Sequence, residues 1–361
     1  MTHLPPPHLP PPSSNIASHK KWQRIEILLA AILFGLLGGI SGAAIMLGWI
    51  WPNYGGGNTW IISQSNVGLT SKQLEDRIEA KMTDQLATVY QNISVLGGEN
   101  YLAKEDRLGD AIFTGSDGWL AMYLPAYDGN YKNWRVLLPN DSVYQVGQVL
   151  YDGYSGLTFI KIVGVNLASS GQEFHVAVFG DKISIGETVF VYQDGKWIGS
   201  TVDRLIWQLS AVPHLDTAPV SGYALEQNFK SGSLVIDGQG LVLGIVNNDG
   251  EMIPNTYLTR LIPTVLDKET VIYPSLGVEG WFDAEQPIII KNVRVQGFVV
   301  SKILSKNNLL KKGDMIEEIN GQIVTPDSLW YNISANQNKE VRLTIFRNGK
   351  VIEVVAKVIE M

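Results

Sequence analysis

The sequence contains no cysteine and few histidines. Without cysteine, its 361 residues can form no disulfide, no thiolate nucleophile and no cysteine-ligated zinc site. Of the five histidines, only His175 and His214 follow the single long apolar run of the chain. Chemistry in the main body that requires an imidazole base therefore depends on one of these two side chains.

Positive charge is also scarce. The formal net charge is −7, and residues 1–26 alone carry +2, which leaves −9 for the rest of the chain. An acidic body repels a phosphate backbone, so we expect no nucleic-acid partner, and we expect neither a cofactor nor a metal. The length and the 45% hydrophobic content predict two or three domains with packed cores.

The apolar run at residues 27–50 predicts a membrane anchor. Its only conventional polar side chain is Ser41, and as a helix it would be about 36 Å long, more than the roughly 30 Å of a bilayer core. The basic residues near the run all precede it, so the positive-inside rule places the N-terminus in the cytoplasm. We predict a disordered, proline-rich cytoplasmic tail at 1–24, a transmembrane helix at 25–51 and an extracytoplasmic main body. A cleaved signal peptide ending at residues 41–43 is the alternative.

A linker and a helix are predicted next, at residues 52–87. Thr70 and Gln73 form a capping-box pattern, and an apolar stripe follows at four-residue spacing. The stripe consists of Leu74, Ile78, Met82 and Leu86. It either rests on the neighbouring domain or forms an oligomer seam.

Short strands separated by turns follow this helix. A two-residue period from Val89 to Val95 predicts the first strand. Turn sequences such as Ser116-Asp117-Gly118 and Gln193-Asp194-Gly195 then recur up to about residue 250. This spacing is typical of a β-barrel or a β-sandwich, so the predicted fold class is mainly β.

The segment Phe229-Lys230-Ser231-Gly232-Ser233 resembles the Gly-Asn-Ser-Gly-Gly turn that carries the nucleophile of HtrA-type serine proteases. Further segments resemble that family in the same order along the chain, at residues 109–120, 156–161, 178–187 and 252–256. The resemblance covers roughly residues 88–266. It implies a trypsin-like double β-barrel with Ser231 in the nucleophile position.

The other two members of the catalytic triad are absent from this resemblance. Counting on from Gly118, the family's histidine position falls on Pro125, and its aspartate position falls on Gly156. Phe229 replaces a glycine whose backbone N–H contributes to the family's oxyanion hole. Because serine is a poor nucleophile without a base, the resemblance implies a degenerate protease in which Ser231 is a turn residue.

The two histidines of the main body are the candidates to replace the missing base. His175 is interpreted as structural, because the alternating pattern of residues 174–179 predicts a strand. His214 lies in a loop 17 residues before Ser231, and Asp216 follows closely as a group that would orient it. This pair is the alternative that would leave the protein an active endopeptidase.

Residues 275–361 resemble the PDZ domain of the same family, an α+β module. The segment Ser275-Leu276-Gly277-Val278-Glu279-Gly280-Trp281 is similar to its carboxylate-binding loop and following strand. The resemblance implies that Leu276, Gly277 and Val278 hold the C-terminal carboxylate of an extended peptide through their backbone N–H groups. The alternative is a groove that is filled from within the protein or only packs on the barrels.

The rest of this module has a regular pattern. A helix is predicted from Pro326 to about Asn336, followed by strands at residues 341–347 and 351–359 that are joined by an Asn-Gly turn. Trp281 and Phe282 either line the peptide groove or lie in the core.

The resemblance implies a membrane-anchored, extracytoplasmic pseudoprotease that binds protein C-termini or unfolded segments in envelope protein quality control. One alternative is an active serine endopeptidase that uses Ser231 with a non-standard base. Another is a structural subunit that assembles with active relatives. The architecture of the family also implies a homo-oligomer, specifically a trimer.

Overall fold

The computed structural model describes residues 71–361, apart from residues 97, 164–173, 208–212, 285–286, 291, 306–308 and 337–338. They belong to the second of two compact units, Gly68–Met361. The predicted tail at 1–24 and membrane helix at 25–51 lie outside the described residues. Within the described part, no helix is long and apolar enough to cross a bilayer.

The first described element is helix α1, Ser71–Met82, as the apolar stripe predicts. Ile78 and Met82 are fully buried against the core that follows. The helix ends before Leu86, the last residue of the predicted stripe, because a 3₁₀ turn at Thr83–Gln85 leads into extended backbone there. The stripe therefore packs on the β domain.

Six strands form a first closed barrel in the order β1-β4-β5-β8-β7-β6, and β2 and β3 form a separate hairpin. These strands are β1 Leu86–Tyr90, β2 Ser94–Leu96, β3 Glu99–Tyr101, β4 Arg107–Phe113, β5 Trp119–Tyr123, β6 Arg135–Leu137, β7 Val143–Tyr151 and β8 Leu157–Val163. Strand β5 is buried along its whole length, because one face lines the barrel and the other faces the second barrel.

Six further strands form a second closed barrel in the order β10-β12-β15-β14-β13-β9. The strands of this region are β9 Thr188–Gln193, β10 Lys196–Trp207, β11 His214–Leu215, β12 Ser221–Leu225, β13 Leu234–Asp237, β14 Val242–Val246 and β15 Met252–Pro254. Helix α2, Asn255–Lys268, closes the barrel, and the Asn255 amide donates hydrogen bonds to the carbonyls of Gly180 and Val242. Strand β11 does not belong to this barrel, because it pairs with the C-terminal sheet.

The remaining residues form an α+β module around a separate apolar core. Its elements are β16 Pro274–Ser275, β17 Val278–Phe282, β18 Ile288–Ile290, β19 Val293–Val295, β20 Phe298–Ile303, β21 Met315–Ile319, β22 Gln322–Ile323, helix α3 Pro326–Ala335, β23 Glu340–Arg347, β24 Lys350–Lys357 and β25 Ile359–Glu360. The main sheet has the order β11-β17-β20-β21-β23-β24, with β22 paired to β21. Helix α3 is confirmed where the sequence predicts it, and Thr325 caps its N-terminus.

Two strand predictions were wrong in detail. Residues 174–178 do not form a strand, because the N–H groups of Phe174 and Ala177 bond to carbonyls beside the β4–β5 turn and the Phe174 ring stacks on Phe113. The predicted single strand from Val89 to Val95 is interrupted after β1, and its second half pairs with β3 as a hairpin.

Candidate functional site

The three positions where the resemblance implies a catalytic triad lie together at the end of β5. The N–H of Leu124, which precedes Pro125, donates to the carbonyl of Gly156 at 2.9 Å. Gly232, which follows Ser231, lies so close to Tyr123 that a Cβ on the glycine would be 3.8 Å from the Tyr123 carbonyl oxygen. The fold therefore brings Pro125, Gly156 and Ser231 to one edge of the two barrels.

The aspartate position at this edge has no room for a side chain. Gly156 has φ +75°, in the left-handed region that favours glycine, and it is buried. A Cβ there would be 2.5 Å from the Tyr123 ring and 2.9 Å from the Leu124 carbonyl oxygen. The ring of Tyr123 thus fills the space that an aspartate would need.

Tyr123 also connects the two barrels. Its side chain is 9% exposed, and its hydroxyl oxygen accepts a hydrogen bond from the N–H of Asn248, in the turn between β14 and β15, at 3.2 Å. Burial raises the pKa of Tyr123, the Asn248 hydrogen bond opposes this, and Asp249 adds to it. The phenol is therefore neutral at physiological pH, and it acts as a structural bridge at the site.

Ser231 lies in an exposed turn between β12 and β13. The turn is held by backbone hydrogen bonds from Gly232 to Val246 at 2.8 Å and from Ser233 to Lys230 at 3.1 Å. Phe229 points its side chain into the core of the second barrel and is 8% exposed. This packing holds Phe229 at the position where the resemblance implies an oxyanion-hole glycine.

Lys230 is not positioned to act as a base for Ser231. Its backbone N–H donates to the Gln193 side chain at 2.7 Å, and its ammonium group pairs with the carboxylate of Asp194. Hydrogen bonding from Lys230 lowers the pKa of Asp194. The backbone N–H and the ammonium group of Lys230 are thus both directed at the β9–β10 turn.

His175 and His214 lie at other ends of the barrels. The neighbour of His175, Phe174, bonds to the turn at the start of β5, whereas Ser231 lies at the end of that strand, roughly 13 Å further on. His214 precedes β12 and Ser231 follows it, so this five-residue strand separates the two. The His214 ring stacks against Phe282 of the C-terminal module, with 6.0 Å between centroids.

Asp152, the acidic residue that lies shortly before the aspartate position, is engaged by other hydrogen-bond donors. The carboxylate of Asp152 is 2% exposed, and it accepts hydrogen bonds from Ser155 and from the Tyr273 hydroxyl at 2.6 Å. Burial raises the pKa of Tyr273 well above its usual range, and Asp152 adds to the effect, so the phenol remains a donor. Asp152 therefore ties the first barrel to the linker before β16.

The predicted carboxylate loop holds a carboxylate that belongs to the chain itself. Asp216 is 1% exposed, and its side chain accepts hydrogen bonds from the Leu276 N–H at 2.7 Å and from the Ser275 hydroxyl at 2.6 Å. The Gly277 N–H donates to that same Ser275 oxygen at 2.8 Å. The Asp216 N–H donates to the Val278 carbonyl at 3.2 Å. Leu276 thus donates to this carboxylate and Gly277 to the Ser275 hydroxyl beside it, whereas Val278 contacts Asp216 through its carbonyl.

The segment before Asp216 extends the C-terminal sheet. His214 pairs with Gly280 and Leu215 with Glu279, antiparallel to β17. Phe282 is 1% exposed and lies in the core of the module, where its ring stacks on the ring of His214. Of the two alternatives for Phe282, the structure therefore favours the core over the lining of the groove.

Asp216 and Tyr123 are residues of these sites whose contacts the sequence does not reveal. The sequence offers Asp216 only as a partner for His214, although a carboxylate next to Leu215 is a signal for a specific buried contact. Tyr123 stands two residues before the histidine position, and its ring fills the space beside Gly156. Neither contact can be assigned before the strands that lie next to each other in the barrels are known.

No protein-family model matches the chain. A relative described as "Serine protease HtrA-like" from Staphylococcus aureus (strain MRSA252) is 23% identical over 265 residues, which are 63% of this chain and 34% of the relative. The chain thus spans about a third of the length of that relative.

Two solved structures of the HtrA-type protease AlgW, one with a decapeptide and one with a tripeptide, superpose with TM-scores of 0.57 and 0.56. They share 16% and 18% sequence identity with the chain, and both matches cover 79% of it. The matches cover 98% and 97% of the AlgW chains. With its two six-stranded barrels, the chain has the trypsin-like fold of the HtrA-type protease AlgW, and its sequence is similar to that of an HtrA-like serine protease.

Proposed function

We propose that this protein is an HtrA-like pseudoprotease that binds polypeptide C-termini and does not cleave them. The observation that carries this proposal is the filled triad site. Ser231 has Pro125 and Gly156 in place of its base and orienting acid, and the Tyr123 ring occupies the space beside them. Without an imidazole near the hydroxyl, a serine is not deprotonated at neutral pH.

Binding is assigned to the C-terminal module, residues 275–361, as a PDZ domain. Strand addition to β17 and capture of a carboxylate at Leu276 are the two interactions that such a domain uses for a peptide C-terminus. Both interactions are made in this chain by the segment around Asp216, which supports a site built for them. AlgW, which shares the fold, was solved with peptides.

The proposal also includes the anchor and the assembly. A transmembrane helix at 25–51 with its basic flank on the N-terminal side would hold the barrels outside the cytoplasm, where C-termini of damaged envelope proteins are presented. A trimer is expected from the resemblance to the HtrA-type proteases. Crosslinking of the full chain in membranes, followed by size analysis, tests this expectation, and a monomer would contradict it.

The loss of activity is tested with a fluorophosphonate probe on the detergent-purified full chain. We expect labelling no stronger than that of the Ser231→Ala variant, and no cleavage of unfolded casein, because the hydroxyl has no base. Lys230→Ala serves as the matched turn variant and should behave in the same way. Labelling that depends on Ser231, together with casein cleavage, would establish the active endopeptidase instead.

The binding function is tested with peptides that differ only at the C-terminus. A fluorescent ten-residue peptide ending in a free carboxylate should bind the full chain more tightly than its C-terminal amide, by at least tenfold, because a cradle of N–H groups recognises the charge. Gly277→Val should abolish the difference, since Gly277 has φ +74° and a Cβ there would be 2.8 Å from Ser305. Equal affinity for acid and amide would contradict carboxylate capture.

A further inference from the structure

The edge of β17 and the cradle at its start are already occupied in this chain. Strand β11 lies antiparallel to β17, as an added peptide strand does, and the Asp216 N–H continues the pairing to the Val278 carbonyl. The next group along the segment is the Asp216 carboxylate, which receives the hydrogen bonds of Leu276 and Ser275. The order of strand, N–H and carboxylate is that of a peptide C-terminus.

The apolar part of such a ligand is also present. Val220 is 1% exposed and belongs to the apolar core of the C-terminal module. Among the buried members of that core in the described part of the chain, it alone precedes residue 276. The segment therefore supplies a carboxylate through Asp216 and an aliphatic side chain through Val220, the two groups that a terminal aliphatic residue would supply together.

A third contact lies two residues before the carboxylate. The ring of His214 stacks on Phe282 with an interplanar angle of 18° and lies 6.1 Å from the centroid of Phe298. Side chains two residues apart on a strand point to the same face, so His214 and Asp216 both face the module. Leu215, between them, instead packs in the core shared by the barrels.

The segment is fixed at both ends by groups outside the groove. The Thr217 hydroxyl donates to the Pro274 carbonyl at 2.7 Å, and the Tyr257 hydroxyl of α2 accepts hydrogen bonds from the N–H groups of Val220 and Ser221. These contacts connect it to the second barrel and to the linker. Its removal from β17 would break contacts on both sides.

We propose that residues 213–220 are a built-in substitute for the ligand, so that a partner binds only after displacing them and resembles them chemically. The inference rests on the proposed PDZ function. The ligand is then a free C-terminus whose last residue is aliphatic and whose third residue from the end carries a flat ring. Because the substitute competes with the ligand, the apparent dissociation constant is raised by the inverse of the fraction of molecules with an open groove.

The test compares the full chain with Asp216→Ala, using a fluorescent peptide that ends in His-Leu-Val with a free carboxylate. Loss of the internal carboxylate leaves Leu276 and Ser275 available, so the variant should bind at least ten times more tightly than the wild type. Asp203→Ala, which removes an exposed aspartate of strand β10, is the matched control and should bind as the wild type does.

The outcomes separate the two proposals. If wild type and Asp216→Ala bind the acid equally and both reject the amide, the substitute is disproved and the PDZ function stands. If neither protein discriminates between acid and amide, the PDZ function fails and the inference fails with it. If neither binds any peptide, both are likewise disproved.

A measurement on the wild type tests the proposal even if the Asp216→Ala variant does not fold. Hydrogen exchange of the full chain should show faster exchange at residues 213–217 when the His-Leu-Val peptide is saturating, because the peptide replaces β11 on β17. Protection of β17 should persist. Peptide binding without any change in residues 213–217 would overturn the proposal.

Discussion

At the scale of single residues, the candidate site lacks both an imidazole at the expected position and the space for an aspartate side chain. Tyr123 fills the space that Gly156 leaves open, and the two residues are complementary in size. The positions Pro125, Gly156 and Ser231 are predicted from the resemblance, because the segments around them occur in the family's order along the chain. The ring of Tyr123 could not be assigned in this way, since its contact with Gly156 spans 33 residues of chain.

Restoring the histidine and the aspartate alone should therefore not produce a reactive serine. The double variant Pro125→His with Gly156→Asp is expected to remain unlabelled by a fluorophosphonate probe. Gly156→Asp alone should lower the free energy of unfolding by about 2–5 kcal/mol, from a positive φ and from overlap with Tyr123. Chemical denaturation measures this loss.

Gly129→Asp is the control for the backbone contribution. Gly129 also has a positive φ, +86°, but a Cβ there meets no atom within 4 Å. Its substitution should cost only about 1 kcal/mol. Equal losses at the two glycines, or a labelled double variant, would show that Tyr123 does not fill the site.

Docking of residues 213–217 onto β17 should depend on pH through Asp216. Burial raises the pKa of this carboxyl from 3.8 to about 7, and hydrogen bonds from Ser275, Leu276 and Thr217 and the nearby His214 oppose the rise. The docked segment thus prefers the protonated acid, so docking weakens as the pH rises towards 7 and is constant above it. Tyr154 also faces this carboxyl, and its own pKa is raised by burial and then by Glu279.

The docked segment should consequently open more readily at pH 8 than at pH 6, by up to about tenfold. Hydrogen exchange of residues 214–217 at the two pH values, corrected for the intrinsic exchange rate of each amide, measures the ratio. Asp216→Asn keeps the shape of the side chain and removes its titration, so most of the ratio should disappear. A ratio that persists in this variant would assign the dependence to another group.

At the scale of elements, strand β11 is the feature that the sequence did not reveal. It consists of two residues after a proline, and its partner β17 follows more than 60 residues later. Neither periodicity nor turn chemistry indicates so short a strand, because its stability comes from the edge it pairs with. The longer elements, such as helix α3 and strand β23, were predicted because their patterns are local and regular.

An ion pair with a buried carboxylate connects a loop of the C-terminal module to its sheet. Asp314 is 1% exposed and accepts hydrogen bonds from the Arg347 Nε at 2.6 Å and Nη2 at 2.5 Å. It also accepts the Lys311 N–H at 2.6 Å. Asp314→Ala should therefore destabilise the protein by about 1–3 kcal/mol, because it leaves the Lys311 N–H and part of the guanidinium without their acceptor.

The matched control is the surface pair between Glu279 and Lys302, where the lysine side chain is 62% exposed. Lys302→Ala should cost less than about 1 kcal/mol, since water and salt screen the interaction. Denaturant unfolding of both variants provides the comparison. A small loss for Asp314→Ala would show that the loop before β21 is held by other contacts.

At the scale of the whole molecule, the C-terminal module packs on the second barrel through α2 and α3. The guanidinium of Arg260 lies 5.2 Å from the centroid of the Tyr257 ring and 4.9 Å from that of Trp330, and it bonds to Asp327 at 2.8 Å. Tyr257 also holds the segment at Val220. The contact between helices and the closed groove are therefore parts of one interface.

Trp330→Ala should loosen this interface and open the groove. We expect faster hydrogen exchange in α3 and in residues 213–217, with little change in β4, because Ala111 and Phe113 of that strand lie in the first barrel's own core, which does not contain this ring. Tyr331→Ala is the matched control, since the neighbouring ring is 69% exposed. The same exchange pattern in both variants would contradict the coupling.

We propose that this chain binds a C-terminus and leaves it intact. Mass spectrometry of one free-acid His-Leu-Val peptide, incubated with the full chain and recovered from the complex, tests both parts at once. We expect the peptide to be retained on the protein and recovered at its full mass, by the wild type and by Ser231→Ala alike. Recovery of fragments from the wild type but not from Ser231→Ala would contradict it.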